Sequence, residues 1–452
     1  MRLNVGFALI SVAAVVVLAS AASAAELSKD EAITFNKHVA PILFNHCAAC
    51  HHSGEVAPFS LLTYSDAKKR DKQLQTVTAD HFMPPWKSVE GHGKFAGERR
   101  LKPEEVATIA NWVKQGSVEG ESNDLPKQPE FSSDWHLGPP DIIVGMTEPF
   151  AVPADGADVY RNFVYDVNVP AGKYIKAAEF RPGNRRVVHH AVLSIDEDGR
   201  ARKRQAEAAP EQGFEGRSIM GHLMPGSLSA WTPGRDAVPL PEGFSVPWKP
   251  GNGLILQLHL HPSGKPETEQ SQIGIYLTDE PPQRSMVDIG LIYKKIDIAP
   301  GEKEYHSRDE FTLPIAMEMR GVFPHMHMLG RDFKLTATPP EGEPFSLLWI
   351  NDWDFNWQSF YEYETPVKLP AGTKIVMETI HDNSAENFRN PSNPPKRVKW
   401  GEQTTDEMSV ALVHLVPQRE EDMPTLRKEQ GKRIVGGIDA QLPAKPIEIR
   451  LP

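Results

Sequence analysis

Apolar residues recur at helical spacing in the first quarter of the chain and at strand spacing beyond it. Phe35, Val39, Ile42 and Leu43 fall on one face of a helix. Pro103 stands at a first-turn position and opens a second helix over 104–115, with Val106, Ile109, Ala110 and Val113 on one stripe and Gly116 as its stop. Residues 28–118 therefore read as helical. From Ser117 to Pro140 the chain is rich in Pro, Ser, Asp and Glu without periodicity, which predicts a linker. After Asp141 short apolar runs alternate with Pro-Gly, Pro-Ala-Gly and Asp-Gly turns, the texture of β-strands. Trp349, Asn351, Trp353, Phe355 and Trp357 alternate with Ile350, Asp352, Asp354, Asn356 and Gln358, predicting a strand with one packed and one polar face. Such a stripe is either sheet core or the wall of a pocket.

Length and composition refine this picture. At 452 residues the chain has room for several cores. Its 40 prolines favour strands and loops over long helices. The β-textured part exceeds one sandwich, so two all-β domains are expected, divided near Pro282. Arg2, the apolar run 5–19 and Ala22-Ser23-Ala24 form a secretory signal peptide; an uncleaved anchor is the alternative. Nothing else is apolar for long enough to span a bilayer, so no stable membrane span is expected. Removing residues 1–24 takes away Arg2 alone and moves the net charge from -11 to -12. An acidic exported protein is a poor partner for nucleic acid.

The two cysteines, Cys47 and Cys50, stand in Cys47-Ala48-Ala49-Cys50-His51. This C-x-x-C-H spacing is that of c-type haem attachment: two thiols add to the porphyrin vinyl groups and the adjacent imidazole lies under the iron. Met83 in Met83-Pro84-Pro85-Trp86 is the best candidate for the sixth ligand, since a thioether favours reduced iron. His81 and an open position are the rivals.

Beyond residue 140 histidines come in groups: His189-His190, His259 and His261, and His325 and His327. On a strand, residues i and i+2 share a face, so His325 and His327 can reach one metal. His189 and His190 point to opposite faces of a regular strand, and joining them on one ion needs a bulge or a strand end. Imidazole-rich sites without thiolate suit copper or zinc, and an added thioether favours copper.

Over residues 139–417 these groups resemble the ascorbate-dependent type II copper monooxygenases, the family of peptidylglycine α-hydroxylating monooxygenase and dopamine β-hydroxylase. The resemblance implies two jelly-roll domains, each with one copper, facing each other across a solvent-filled cleft. It matches His189, His190 and His259 to the first copper, leaving His261 and His222 outside. It matches His325 and His327, with Met408 of Thr404-Thr405-Asp406-Glu407-Met408, to the second. The N-terminal part is similar to bacterial cytochrome c domains fused to such hydroxylases. The family's disulfides are missing, and Ser409 stands where the family has Cys.

The expected organisation is thus multidomain: signal peptide 1–24, an all-α cytochrome c domain 25–118, linker 119–140, two all-β jelly-roll sandwich domains 141–282 and 283–417, and an irregular tail 418–452. The resemblance implies two copper ions and a covalent haem c in a periplasmic monooxygenase. It would hydroxylate a small organic substrate with O2, using an ascorbate-like reductant or a redox protein as donor. The competing readings are a non-catalytic electron-transfer protein and a copper oxidoreductase acting on a small inorganic substrate.

Overall fold

The computed structural model describes residues 32–131, 135–208, 212–216, 227–234, 237–401 and 403–435. The expected signal peptide and His222 lie outside them, as does the expected tail beyond residue 435. No helix among the described residues is long and apolar enough to cross a membrane.

The N-terminal helices are α1 (Ala40–His46), preceded by a π-helical turn Phe35–Val39, then α2 (Tyr64–Lys68), α3 (Asp71–Ala79) and α4 (Pro103–Lys114). Phe35, Val39, Ile42, Leu43, Ile109 and Trp112 form a shared core. Gly116, at φ 92°, ends α4 in the left-handed backbone region that glycine adopts without strain.

An all-α cytochrome domain was expected here, and that expectation is corrected. Strands account for 35% and helices for 16%, and among the described residues no separate all-α unit forms. The helices stay short and apart because Pro58 falls between α1 and α2, while Pro84, Pro85 and the glycines at 91, 93 and 97 exclude helix between α3 and α4. The segment between α3 and α4 joins a β core instead. Phe95 is buried in it with Trp86 packed alongside, and Phe95 bridges Tyr363.

The first β unit contains β1 (Ile142–Gly145), β2 (Phe150–Val152), β3 (Val159–Asp166), β4 (Tyr174–Arg181), β5 (Val188–Asp196), β6 (Phe214–Glu215), β7 (Ser227–Trp231), β8 (Val246–Pro247), β9 (Gly253–Leu260), β10 (Glu267–Glu269) and β11 (Gln272–Thr278), with helix α5 (Arg200–Ala206) between β5 and β6. One sheet runs β1-β11-β4-β8, the other β6-β3-β9-β5-β7. Their facing side chains, among them Ile175, Phe180, Leu193, Leu256 and Ile273, make one apolar core. Strand β9 lies in the middle of its sheet and is buried along its whole length.

The second unit contains β12 (Val287–Ile292), β13 (Asp297–Ile298), β14 (Tyr305–Thr312), β15 (Met317–Met326), β16 (Gly330–Thr338), β17 (Phe345–Ile350), β18 (Tyr361–Leu369), β19 (Lys374–His381), β20 (Val398–Lys399) and β21 (Ser409–Pro417). Sheets β12-β21-β15-β18 and β14-β19-β16-β17 stack on a core that includes Met319, Phe333, Leu348 and Val413. The expected irregular tail begins instead as a helix, Met423–Val435, and Met423 and Leu426 enter this core.

The strand predicted from the Trp349–Trp357 alternation stops at Ile350. Trp353 turns into the core, and residues 351–360 leave the sheet as a loop. Period two was present in the residues, but the ladder stops at the Phe333–Ile350 pair although β16 itself runs on to Gly330. Beyond it the Trp353 amide bonds the Arg331 carbonyl at 2.9 Å as Trp353 turns inward.

Candidate metal centre

His189 and His190 converge because β5 carries the irregularity that their adjacency requires. Val188 pairs with Leu260 and His190 with His259, so His189 is the extra residue of a bulge. His190 and His259 face each other in the register of neighbouring strands. The Nδ1 atoms of His189 and His190 are 3.2 Å apart, and those of His259 and His190 are 3.4 Å apart. Candidate ligand atoms of the three residues all lie within 4.8 Å of one another. Burial, aided by the neighbouring His259, holds His189 down at about 3, and His190 is lowered well below the usual histidine value for the same reason. The rings are therefore neutral, the form that ligates a cation.

His259 is oriented from behind: its Nε2 donates to Asp158 Oδ2 at 2.8 Å, and Tyr160 stacks on its ring at 4.2 Å. Burial pushes the Asp158 carboxyl up, but its bonds to His259 and His261 outweigh this and hold it at about 2. His261 is largely exposed and turns its Nδ1 to the other oxygen of Asp158, at 2.7 Å, leaving it outside the cluster.

The second group sits at the end of β15. The rings of His325 and His327 are 5.0 Å apart and nearly perpendicular. His325 Nδ1 bonds the Gln358 side chain, while its Nε2 is buried without a partner among the described residues. His327 Nδ1 donates to the Asp406 carbonyl at 3.1 Å. Burial lowers His325 to about 3 and His327 to about 4. Strand β21 pairs Ser409 with Met326, so Met408, one residue ahead, stands opposite His327 at the end of the ladder. Met408 is buried with Ile292, Val410 and Leu412. Beneath the group, the Glu407 carboxylate accepts from the His327, Leu329 and Met408 amides. Burial nonetheless pushes its carboxyl up to about 8.

The two groups approach each other closely. The Phe355 ring lies 5.9 Å from that of His189 and 5.8 Å from that of His327. The cleft implied by the resemblance is therefore bridged at this point by a phenyl group. Beside it opens a cavity of about 260 Å³ lined from both units, including His189, His190, His325, Phe323, Trp357 and Gln358. Sequence reasoning missed Asp158, Phe355 and Gln358. Phe355 and Gln358 were visible only as members of the alternating stripe, and Asp158 carried no signal.

Both groups fit a soft or borderline cation. The first offers three imidazoles; the second offers two imidazoles, one with an orphaned buried nitrogen, and Met408 opposite His327 in the strand register.

In the N-terminal region Cys47 closes α1, and Cys47 and Cys50 are not joined in a disulfide. Burial pushes the Cys47 thiol up to about 12. The His51 amide bonds the Cys47 carbonyl at 2.9 Å, so motif and turn are one structure. His51 Nδ1 meets the Phe59 carbonyl at 3.1 Å, which leaves Nε2 to face a ligand, and burial lowers its pKa. Two thiols not spent on a disulfide and an imidazole oriented through Nδ1 fit a covalently held haem. Met83 is half-buried, and His81 is exposed with φ 52°. Cys50 abuts the first β unit: a Cβ on Gly234 would come within 2.4 Å of its Sγ.

No protein-family profile matches the chain, and no curated protein is significantly similar to it. Among solved structures, the major capsid protein P2 of bacteriophage PM2 is similar over 57% of this chain and 97% of its own, at 9% identity and a TM-score of 0.23. A Paenibacillus xanthan lyase is similar over 65% of this chain and 28% of its own, at 13% identity and a TM-score of 0.18. Likenesses this slight carry no weight for function.

Proposed function

We propose that the protein is an exported copper-dependent monooxygenase that hydroxylates a small organic substrate, RH + O2 + two electrons + two protons giving ROH + water. A periplasmic reductant would supply the electrons through a haem held by Cys47 and Cys50. One observation carries the reading. Two imidazole groups from separate β units line one largely apolar cavity on either side of a single phenyl ring.

His189, His190 and His259 would hold one copper, and His325, His327 and Met408 the other. When bound, copper supplies one-electron transfer at the first site and activation of O2 at the second. The protein contributes orientation and dryness. Gln358 holds His325 by Nδ1, which leaves its buried Nε2 for the ion, and the Asp406 carbonyl orients His327 through Nδ1. Phe180, Trp231, Phe323, Trp357 and Leu412 give the cavity an apolar wall suited to a hydrocarbon portion and poor for bulk water. Thr232 and Pro233 line the same cavity and lead to Gly234, against which Cys50 packs. A haem on Cys50 would thus lie beside the first β unit.

The test is metal, haem and product analysis of protein matured in a copper-replete periplasm. Two coppers and one covalent haem per chain are expected, with label from O2 in an organic product. Met408→Ile should keep the haem and the copper of the three-histidine site while hydroxylation nearly vanishes. Full activity of that variant would refute the hydroxylase assignment of the second site, and zinc at both sites would refute the copper reading.

A further inference from the structure

Asp158, just ahead of β3, touches groups from both halves of the site. Its Oδ2 accepts from His259 Nε2 at 2.8 Å and its Oδ1 from His261 Nδ1 at 2.7 Å. From the second β unit, the Thr404 hydroxyl reaches Oδ2 at 3.4 Å. Thr404 belongs to the turn 403–408, which is pinned by the Gln403 amide donating to Asp406 Oδ2 at 3.0 Å. The same turn offers the Asp406 carbonyl to His327 and ends at Met408. A single carboxylate thus connects the three-histidine cluster to the segment that orients His327 and presents Met408.

We infer that Asp158 is a positioning residue that aims His259 Nδ1 at His189 and His190 and ties the cluster to the turn 403–408. The inference rests on the reading of these histidines as metal ligands. A neutral imidazole carries one N–H, and a carboxylate that takes it at Nε2 leaves the Nδ1 lone pair free. Without Asp158 nothing fixes that tautomer, because Tyr160 contacts His259 through its ring face and is indifferent to the proton's position. The side chain of Asp158 is 14% exposed. Its hydrogen bonds are therefore shielded and charge-assisted, stronger than those of a surface pair. Such partners behind a metal-binding histidine typically contribute a factor of about 10–100 in metal affinity.

The experiment uses the full chain carrying His325→Ala and His327→Ala, so that only the three-histidine site reports. Copper(I) affinity is measured by competition with a colorimetric chelator. Adding Asp158→Asn or Asp158→Ala should weaken binding by roughly 10–100-fold. Adding Thr404→Val should leave it within about twofold, since that hydroxyl does not touch His259. Asp158→Asn is nearly isosteric, and thermal unfolding of the metal-free variants shows whether each has folded. Parental affinity in Asp158→Asn would overturn the positioning role.

A second readout needs no metal. Hydrogen–deuterium exchange over residues 403–408 in the otherwise unsubstituted apo-protein should quicken in both Asp158→Ala and Thr404→Val. Unchanged exchange would overturn the tie between the two halves. Were the parent chain to bind no copper, the metal reading and the affinity arm of the inference would fall together. The exchange arm would still decide the tie.

Discussion

His189, His190, His325, His327 and His381 are all held neutral by burial, most of them with a second imidazole nearby that adds to the effect. For the metal-free chain this fixes a pH dependence. Each imidazole binds a proton in the unfolded chain at about 6.5 but resists it in the fold. Their contribution to stability is present above about 6.5 and is lost as pH falls toward 4 and then 3, at up to roughly 1.4 kcal/mol per group and pH unit. Glu407 acts with the opposite sign. Its carboxyl is raised to about 8, so its contribution is complete below the unfolded value of about 4.5 and is lost as pH rises through 8. In the overlap the five imidazoles outweigh the one carboxyl. Thermal unfolding of apo-protein should therefore give a maximum near pH 6.5, with a steep acid limb and a shallow alkaline one. A flat acid limb would mean that these histidines are solvated.

At the level of single elements, irregularities in the strands do the aiming. The extra residue in β5 brings His189 to the face of His190. Strand β15 has a comparable shift between Met319 and Gly321 on its way to His325. Gly321 sits where two pieces of chain nearly touch: a Cβ there would come within 2.5 Å of Phe360 and 2.7 Å of the Tyr361 carbonyl oxygen. Gly321→Ala must push β18 away from β15, and we expect a loss of about 1–3 kcal/mol in urea denaturation. Because Phe360 and Arg320 line the cavity, ligand binding there should weaken along with stability. An unchanged denaturation midpoint would show that β18 yields freely at this place.

For the molecule as a whole, the N-terminal region is structurally joined to the second β unit. Phe95 is almost completely buried in the second β core, against Tyr361 and Tyr363 at 5.2 and 5.1 Å. The Val89 amide bonds the Trp349 carbonyl at 2.7 Å, and Ala96 bonds Glu362 at 2.8 Å. Phe95→Ala should cost about 3–5 kcal/mol, the usual range for a buried phenylalanine. If the region were an independent unit, the change would leave unfolding of the β part untouched. Calorimetry of the full chain distinguishes the two outcomes, since the β transition itself should move to lower temperature.

What the sequence determined by itself is local. The placement of His325 and His327 on one face, the stop at Gly116, and the requirement of a bulge at His189-His190 follow from covalent spacing and backbone sterics. Those rules act within a few residues, and the structure meets each of them. Even at short range the reading failed where packing intervened: the Trp349–Trp357 alternation is real, but the strand ends at Ile350 and Trp353 is drawn into the core. His259 rather than His261 meets His190 because the register of β9 on β5 pairs them, across 69 residues of chain. Gln358 finds His325 across 33 residues, and Thr404 finds Asp158 across 246. Phe95 reaches its core by a route that no helical or strand period encodes. Contacts of that range are decided by how whole sheets pack against each other. They leave no periodic trace in the chain, and only the tertiary structure could specify them.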